Sequence, residues 1–251
     1  MIKKDMTNRI HLIDEVRGFA IICMVVYHLF YDLVFIFDVD IPIFFSPILE
    51  VIVNIFIALF VFISGSACNF SKSNIKRGAI CFSFGLAMTL FTFLFMKDEL
   101  IVFGILHMLG ICMIIYGLLS KFIDKIPPLV TISIFALLFF FTFNIPNGYI
   151  GFGSLTLFLP RQLYETNFLF PLGFVSDSFY SADYFALFPW FFMFLCGSGF
   201  GKLLKNRNMP EVFYKSHIKP LAFIGSHTLW IYVLHQPILV ALLYIVFKII
   251  R

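Results

Sequence analysis

Residues 18–37 read GFAIICMVVYHLFYDLVFIF. Twenty residues, apolar except for Tyr27, His28, Tyr31 and Asp32, would make a helix roughly 30 Å long, about the thickness of a bilayer core. That length and composition predict a transmembrane helix. The polar exceptions carry as much information as the run itself. An ionisable side chain inside a span is costly to keep there and usually serves a function. His28 and Asp32 stand at i and i+4, so they share one helix face. A carboxylate at that spacing can orient an imidazole and favour its protonated form, which makes the pair a candidate general base.

The rest of the chain has the same character. Of 251 residues, 61% are apolar and only 13% charged, with a mean hydropathy of +0.99. The 37 Phe are spread throughout, so no stretch reads as a soluble domain. These features predict an all-α polytopic transmembrane helical bundle forming one domain over residues 1–251. Apolar windows place about seven spans near 18–37, 48–67, 78–96, 100–119, 127–144, 184–203 and 221–247. The first is expected to remain as an uncleaved anchor, because it is too long for a signal-peptide core and no small-residue cleavage site follows it. Pro127-Pro128 suits the start of the fifth helix, where missing amide donors matter little.

Charge sets the expected orientation. Placing the N-terminus and every second loop in the cytoplasm puts Lys3, Lys4, Arg9, Arg17, Lys72, Lys76, Arg77, Lys121, Lys125, Lys202, Lys205, Arg207, Lys215 and Lys219 on that side. Only Lys97, Arg161, Lys248 and Arg251 fall on the other. This asymmetry predicts N-in, C-out topology. The net charge of +4 is thereby accounted for without a nucleic-acid partner. The partner it implies is the lipid bilayer; a homo-oligomer is left open.

Depth follows from the helical rise of 1.5 Å per residue. His28 lies about 16 Å above Arg17, with Asp32 about 6 Å further out. On the same basis His107 and Asn54 fall roughly 10 Å below the outer surface, and His235 roughly 21 Å up the last span. These residues form one polar slab contributed by four helices. His235 precedes Gln236-Pro237, and the proline is expected to kink the span and free a carbonyl near Val233. Residues 145–183 lack a clear span but are too apolar for a plain loop. They are expected to fold back over the bundle on the outer side, as a short interfacial helix or lid. The five cysteines (Cys23, Cys68, Cys81, Cys112 and Cys196) read as small core residues. No zinc spacing, phosphate loop, dinucleotide fingerprint or serine elbow occurs, so no metal is expected.

Several motifs, in order, resemble a known family. Arg17-Gly18-Phe19-Ala20, Val26-Tyr27-His28-Leu29-Phe30-Tyr31-Asp32-Leu33, Phe60-Val61-Phe62-Ile63-Ser64-Gly65 and Gly104-Ile105-Leu106-His107-Met108-Leu109-Gly110 begin the series. Gly148-Tyr149-Ile150-Gly151, Phe188-Pro189-Trp190, Gly197-Ser198-Gly199-Phe200-Gly201-Lys202 and the run from Gly225 to Pro237 complete it. The chain resembles bacterial membrane proteins related to heparan-alpha-glucosaminide N-acetyltransferase. Arg17 with ten residues before His28 also resembles the pattern of the membrane acyltransferase-three family.

The resemblance implies transfer of an acetyl group from cytosolic acetyl-CoA to an extracytoplasmic glycan or small glycoside, by a multi-pass protein of a bacterial cytoplasmic membrane. Arg17, Lys72, Lys76 and Arg77 are then expected at the CoA phosphates. His28 would act as base with Asp32. His107 or Asn54 would donate to the oxyanion, and His235 would hold the acceptor or serve as a second base. Tyr31, Asn54 and Gln236 are the expected substrate contacts. There are departures from the animal enzymes. Residues 38–47 lack their loop histidine, His107-Met108 stands where they carry Gln-Arg, and Asn54 stands where they carry Asp. Two rival readings are a small-solute transporter and a haem protein using His28, His107 and His235.

Overall fold

The structure, a computed structural model, describes residues 10–207 and 209–250. Eight α-helices run in order among them: α1 (His11–Phe35), α2 (Pro47–Ala67), α3 (Asn74–Phe95), α4 (Ile105–Ile123), α5 (Pro128–Thr142), α6 (Leu187–Lys205), α7 (Lys219–Ser226) and α8 (Thr228–Ile250). Seven of these helical stretches are long and apolar enough to cross a membrane, in line with the hydropathy windows. The exception is the eight-residue α7.

The helices group into two compact units. One comprises Met1–Ile63 with Met209–Arg251, and the other Ser64–Asn208.

In the first unit α1 packs against α7 and α8. The α1–α7 crossing is backbone to backbone. A Cβ on Gly18 would sit 2.1 Å from the Leu221 carbonyl oxygen, and one on Gly225 would sit 1.8 Å from that of Asp14. Only glycine allows so close an approach. Charges then tie down both ends of α7. The buried Glu15 Oε1 accepts from the Ser216 hydroxyl (3.0 Å) and from the backbone amides of His217 (2.7 Å) and Ile218 (2.9 Å), so it caps the start of α7. Arg17 donates to Asp14 (3.2 Å) and to the Gly225 carbonyl (3.3 Å) at the other end of α7. These contacts explain why α1 begins seven residues before the expected span. Its first turns are charged, but Glu15 and Arg17 find partners at the two ends of α7 and Arg17 also pairs with Asp14.

The last expected span, 221–247, is two helices. The break falls at His227, not at Pro237, which lies within α8. The Thr228 hydroxyl donates to the Gly225 carbonyl (2.6 Å), satisfying an acceptor at the end of α7.

In the second unit α3 pairs with α4, and α5 with α6. Gly78 and Gly110 make the α3–α4 crossing close: a Cβ on Gly78 would lie 2.6 Å from the Gly110 carbonyl oxygen. The C-terminal turn of α2 joins this unit, with the Ser66 hydroxyl donating to the Gly197 carbonyl (2.8 Å). The buried Lys202 donates to the Ile123 (2.6 Å) and Ile126 (3.3 Å) carbonyls and lies 3.6 Å from Asp124, matching a cation to the C-terminus of α4.

Residues 145–183 hold no α-helix. They form a two-residue antiparallel ladder, β1 (Tyr149–Ile150) with β2 (Leu157–Phe158), and several 3₁₀ turns. The expected interfacial helix is therefore replaced by a hairpin. The chemical reason is the run Gly148 (φ 89°), Gly151 (φ 90°) and Gly153 (φ 58°), all of which turn the chain through the left-handed region. The Tyr164 hydroxyl donates to the Ile145 carbonyl, and that of Tyr184 to the Phe170 carbonyl (2.5 Å). Burial raises the pKa of both phenols.

Candidate functional site

The site is built on α1 and α8, both in the first unit. His28 and Asp32 project from α1 one turn apart, and His235 and Gln236 are adjacent on α8. The His28 and His235 rings lie 4.9 Å apart between centroids, edge to face at 61°. Asp32 is 0% exposed, and its Oδ1 accepts from Gln236 Nε2 at 2.6 Å. The sequence spacing had set Asp32 beside His28 as its orienting group. The structure gives Oδ1 to Gln236, and the ring beside His28 is that of His235.

The hydrogen-bond pattern fixes the protonation of His235. Its Nδ1 lies 2.6 Å from the Tyr232 carbonyl oxygen, which can only accept, so Nδ1 carries the proton. In the neutral ring Nε2 is then a lone-pair acceptor. That atom is buried and has no hydrogen-bond partner among the described residues. The same holds for Gln236 Oε1, whose amide is oriented by the bond from Nε2 to Asp32. Two neighbouring buried acceptors without donors are unusual, because buried polar atoms are nearly always satisfied. The arrangement fits a guest that brings N–H or O–H groups.

A cavity of about 340 Å³ opens in the same unit. It is lined by Tyr27, Phe44, Phe45, Ser46, Glu50 and Asn54, with Leu49 and Val53. Tyr27 links it to the histidines: its ring stacks on Phe44 (5.5 Å) and meets His28 edge to face (5.7 Å). Tyr31 packs nearby, 6.4 Å from His28 and 6.3 Å from Phe44. The lining combines aromatic faces with one carboxylate, one amide and hydroxyls. Sequence reasoning picked out Asn54 and Tyr31 but not Glu50, Ser46 or Tyr27. The signal was present. Glu50 is the only charged residue of α2 and stands one turn before Asn54.

Each of the remaining predicted residues has its surroundings within its own unit. His107 belongs to the second unit, at the third position of α4. Its Nδ1 accepts from the Gly104 amide (3.1 Å). Nε2 therefore carries the proton and faces Thr89 Oγ1 at 3.4 Å, while the Thr89 hydroxyl itself donates to the Ile101 carbonyl (2.7 Å). Both ring nitrogens are thus engaged in capping α4 and joining it to α3. Lys72, Lys76 and Arg77 are exposed around the start of α3, also in the second unit. The Ser73 hydroxyl there caps the helix, accepting from the Lys76 amide at 3.2 Å. Arg17 is in the first unit, held to Asp14 and Gly225.

Comparison with known protein families gives a match over most of the chain. Residues 9–237 match the family described as "Heparan-alpha-glucosaminide N-acetyltransferase, catalytic". The match includes α1 and ends on Pro237, one residue past Gln236, so it takes in every residue of the α1–α8 site. No curated protein and no solved structure matches the chain. A match spanning most of the sequence, on a bundle with seven candidate membrane spans, places this chain in the heparan-alpha-glucosaminide N-acetyltransferase family.

Proposed function

We propose that the protein transfers the acetyl group of acetyl-CoA to a hydroxyl or amine of an extracytoplasmic sugar, with His28 and His235 as the proton-handling pair. Family membership supports acetyltransferase chemistry in general. The observation that carries the finer reading is the buried, unpartnered Nε2 of His235 against the His28 ring, beside the unpartnered Oε1 of Gln236. An acceptor N–H or O–H donating to these atoms would be held, and Nε2 would take its proton as the nucleophile attacks the thioester carbonyl. The proton moves to the ring, the acetyl C–N or C–O bond forms, and CoA leaves as thiolate. Asp32 acts one step removed. It orients Gln236 through the bond from Nε2 to Oδ1.

The cavity beside Tyr27 is the proposed acceptor pocket. Its aromatic faces suit the apolar faces of a sugar ring, and Glu50, Ser46 and Asn54 offer groups to its hydroxyls. With Glu50 as its only charged side chain, the pocket favours a neutral or cationic acceptor over an anionic one. CoA phosphates would meet Lys72, Lys76 and Arg77 at the N-terminus of α3, where the helix dipole adds to their charge. Arg17 is assigned to holding α7. The proposed orientation is N-in and C-out, which the Lys/Arg asymmetry supports. A single domain over residues 1–251 is part of the proposal, supported by a family match over residues 9–237.

Thermal unfolding of the purified protein with acetyl-CoA, against protein alone, tests the donor half of this proposal. Acetyl-CoA should raise the melting temperature of the wild-type and His28→Ala proteins alike, and Lys72→Glu/Lys76→Glu/Arg77→Glu should abolish the shift. A folded wild-type protein that gives no shift would overturn the donor assignment and favour the transporter reading.

A further inference from the structure

The hairpin beyond α5 leaves several large apolar side chains exposed. Its second strand exposes large side chains on both faces. Leu157 is 61% exposed and Phe158 is 79% exposed, and adjacent strand residues point to opposite sides. The tip adds Phe152 (58%) and Leu155 (67%). No Asp, Glu, Lys or Arg occurs from residue 126 to residue 160. A two-stranded ribbon is at best marginal in water, and one with four uncovered apolar chains less so.

Yet this ribbon is closely built. The Gly151 amide donates to the Phe141 carbonyl (2.7 Å), an acceptor left open by the last turn of α5. A Cβ on Gly151 would lie 1.9 Å from the Leu155 carbonyl oxygen, so the tip is tightly closed. Leu159 N donates to Gly148 O (2.9 Å), and Thr156 Oγ1 to Gly153 O (2.8 Å). The Phe152 ring meets that of Phe141 at 6.4 Å. The exposed face of the hairpin thereby continues the exposed apolar face of α5, which includes Leu137 and Phe140. Helix α5 is long and apolar enough to be a membrane span, so lipid is the expected neighbour of an apolar face that it leaves exposed.

We propose that the Tyr149–Phe158 hairpin is an interfacial anchor, embedded at the headgroup–acyl boundary of the bilayer at the C-terminal end of α5. Lipid covers both faces of the ribbon at once, which a single docked protein surface would not do. Apolar side chains buried at that boundary hold a segment in the plane of the interface. Immediately after the ribbon comes Arg161, whose side chain is 86% exposed and lies 3.9 Å from Glu165, where charge can reach headgroups or water.

The test is Phe158→Trp in the full-length protein, reconstituted in phosphatidylcholine vesicles brominated either near the glycerol end or near the methyl end of the chains. The unsubstituted protein supplies the background of Trp190 and Trp230. The added emission should be blue-shifted, lose most of its intensity to lipid brominated near the glycerol end, lose less to lipid brominated near the chain end, and resist acrylamide. Leu155→Trp at the tip gives the same reading if the first variant does not fold. Quenching by acrylamide with no effect of brominated lipid would overturn the proposal, because the hairpin would be in water. Resistance to both quenchers would also overturn it, because the ribbon would be covered by protein, such as a second copy of this chain.

Discussion

Gln236→Leu tests the joint between α1 and α8. Leucine is close to glutamine in volume, so the main loss is chemical. The bond of 2.6 Å from Gln236 Nε2 to Asp32 Oδ1 disappears from a carboxylate that is 0% exposed. A hydrogen bond to a charged group contributes about 1.5–3 kcal/mol. Taking about 2 kcal/mol, and about 2–4 °C per kcal/mol for a chain of this size, the melting temperature should fall by about 4–8 °C. The loss alone does not identify the bond, since Asp32 has other contacts. A double-mutant cycle does. Asp32→Leu, Gln236→Leu and the double variant, measured by thermal unfolding in one detergent, should show a coupling of about 1.5 kcal/mol or more, because the second substitution finds no bond left to break. Effects that add to within about 0.5 kcal/mol would refute the pairing, and with it the argument that Asp32 orients Gln236.

Three other outcomes follow from the same structure. Gly225→Val places a side chain where a Cβ already lies 1.8 Å from the Asp14 carbonyl oxygen, so α1 and α7 must separate; a melting-temperature loss corresponding to more than about 2 kcal/mol is expected. His107→Ala should destabilise by about 1–2 kcal/mol through the lost contacts to Gly104 and Thr89, while CoA release per folded molecule stays within about twofold of wild type. Glu50→Gln, in the lining of the proposed acceptor pocket, should raise KM for glucosamine used as probe acceptor and leave the acetyl-CoA thermal shift unchanged.

The membrane-spanning plan was legible because apolar length is a local property. The points of departure are those where a distant partner decides. Asp14, Glu15 and Arg17 look like a reason to start the first helix late. They lie inside it because Glu15 meets Ser216 and the amides of His217 and Ile218, while Arg17 meets Asp14 and the Gly225 carbonyl. Pro237 is the conspicuous breaker in the last span, yet the break is at His227, where Gly225 must lie flat against the Asp14 backbone. At the site, i,i+4 spacing correctly put His28 and Asp32 on one face. Which residue each would meet was hidden in α8, more than 200 positions away. The His235-Gln236 dipeptide was visible as a polar interruption, but only the Tyr232 contact shows which ring nitrogen is left as acceptor. His107 shows the converse. It stands alone in an apolar run, and only the structure shows its Nδ1 on the Gly104 amide at the start of α4 and its Nε2 facing Thr89 of α3.

The central claim is that the His28–His235 pair performs acetyl transfer, and its most direct measurement is protein-dependent release of CoA from acetyl-CoA with glucosamine as probe acceptor, in nanodiscs. The wild-type protein should release CoA and form an acetylated sugar in equal amounts. His28→Ala and His235→Ala should each lose this by at least about 100-fold, the size of a general-base contribution, while retaining the acetyl-CoA thermal shift. Full turnover by either folded variant would contradict the account.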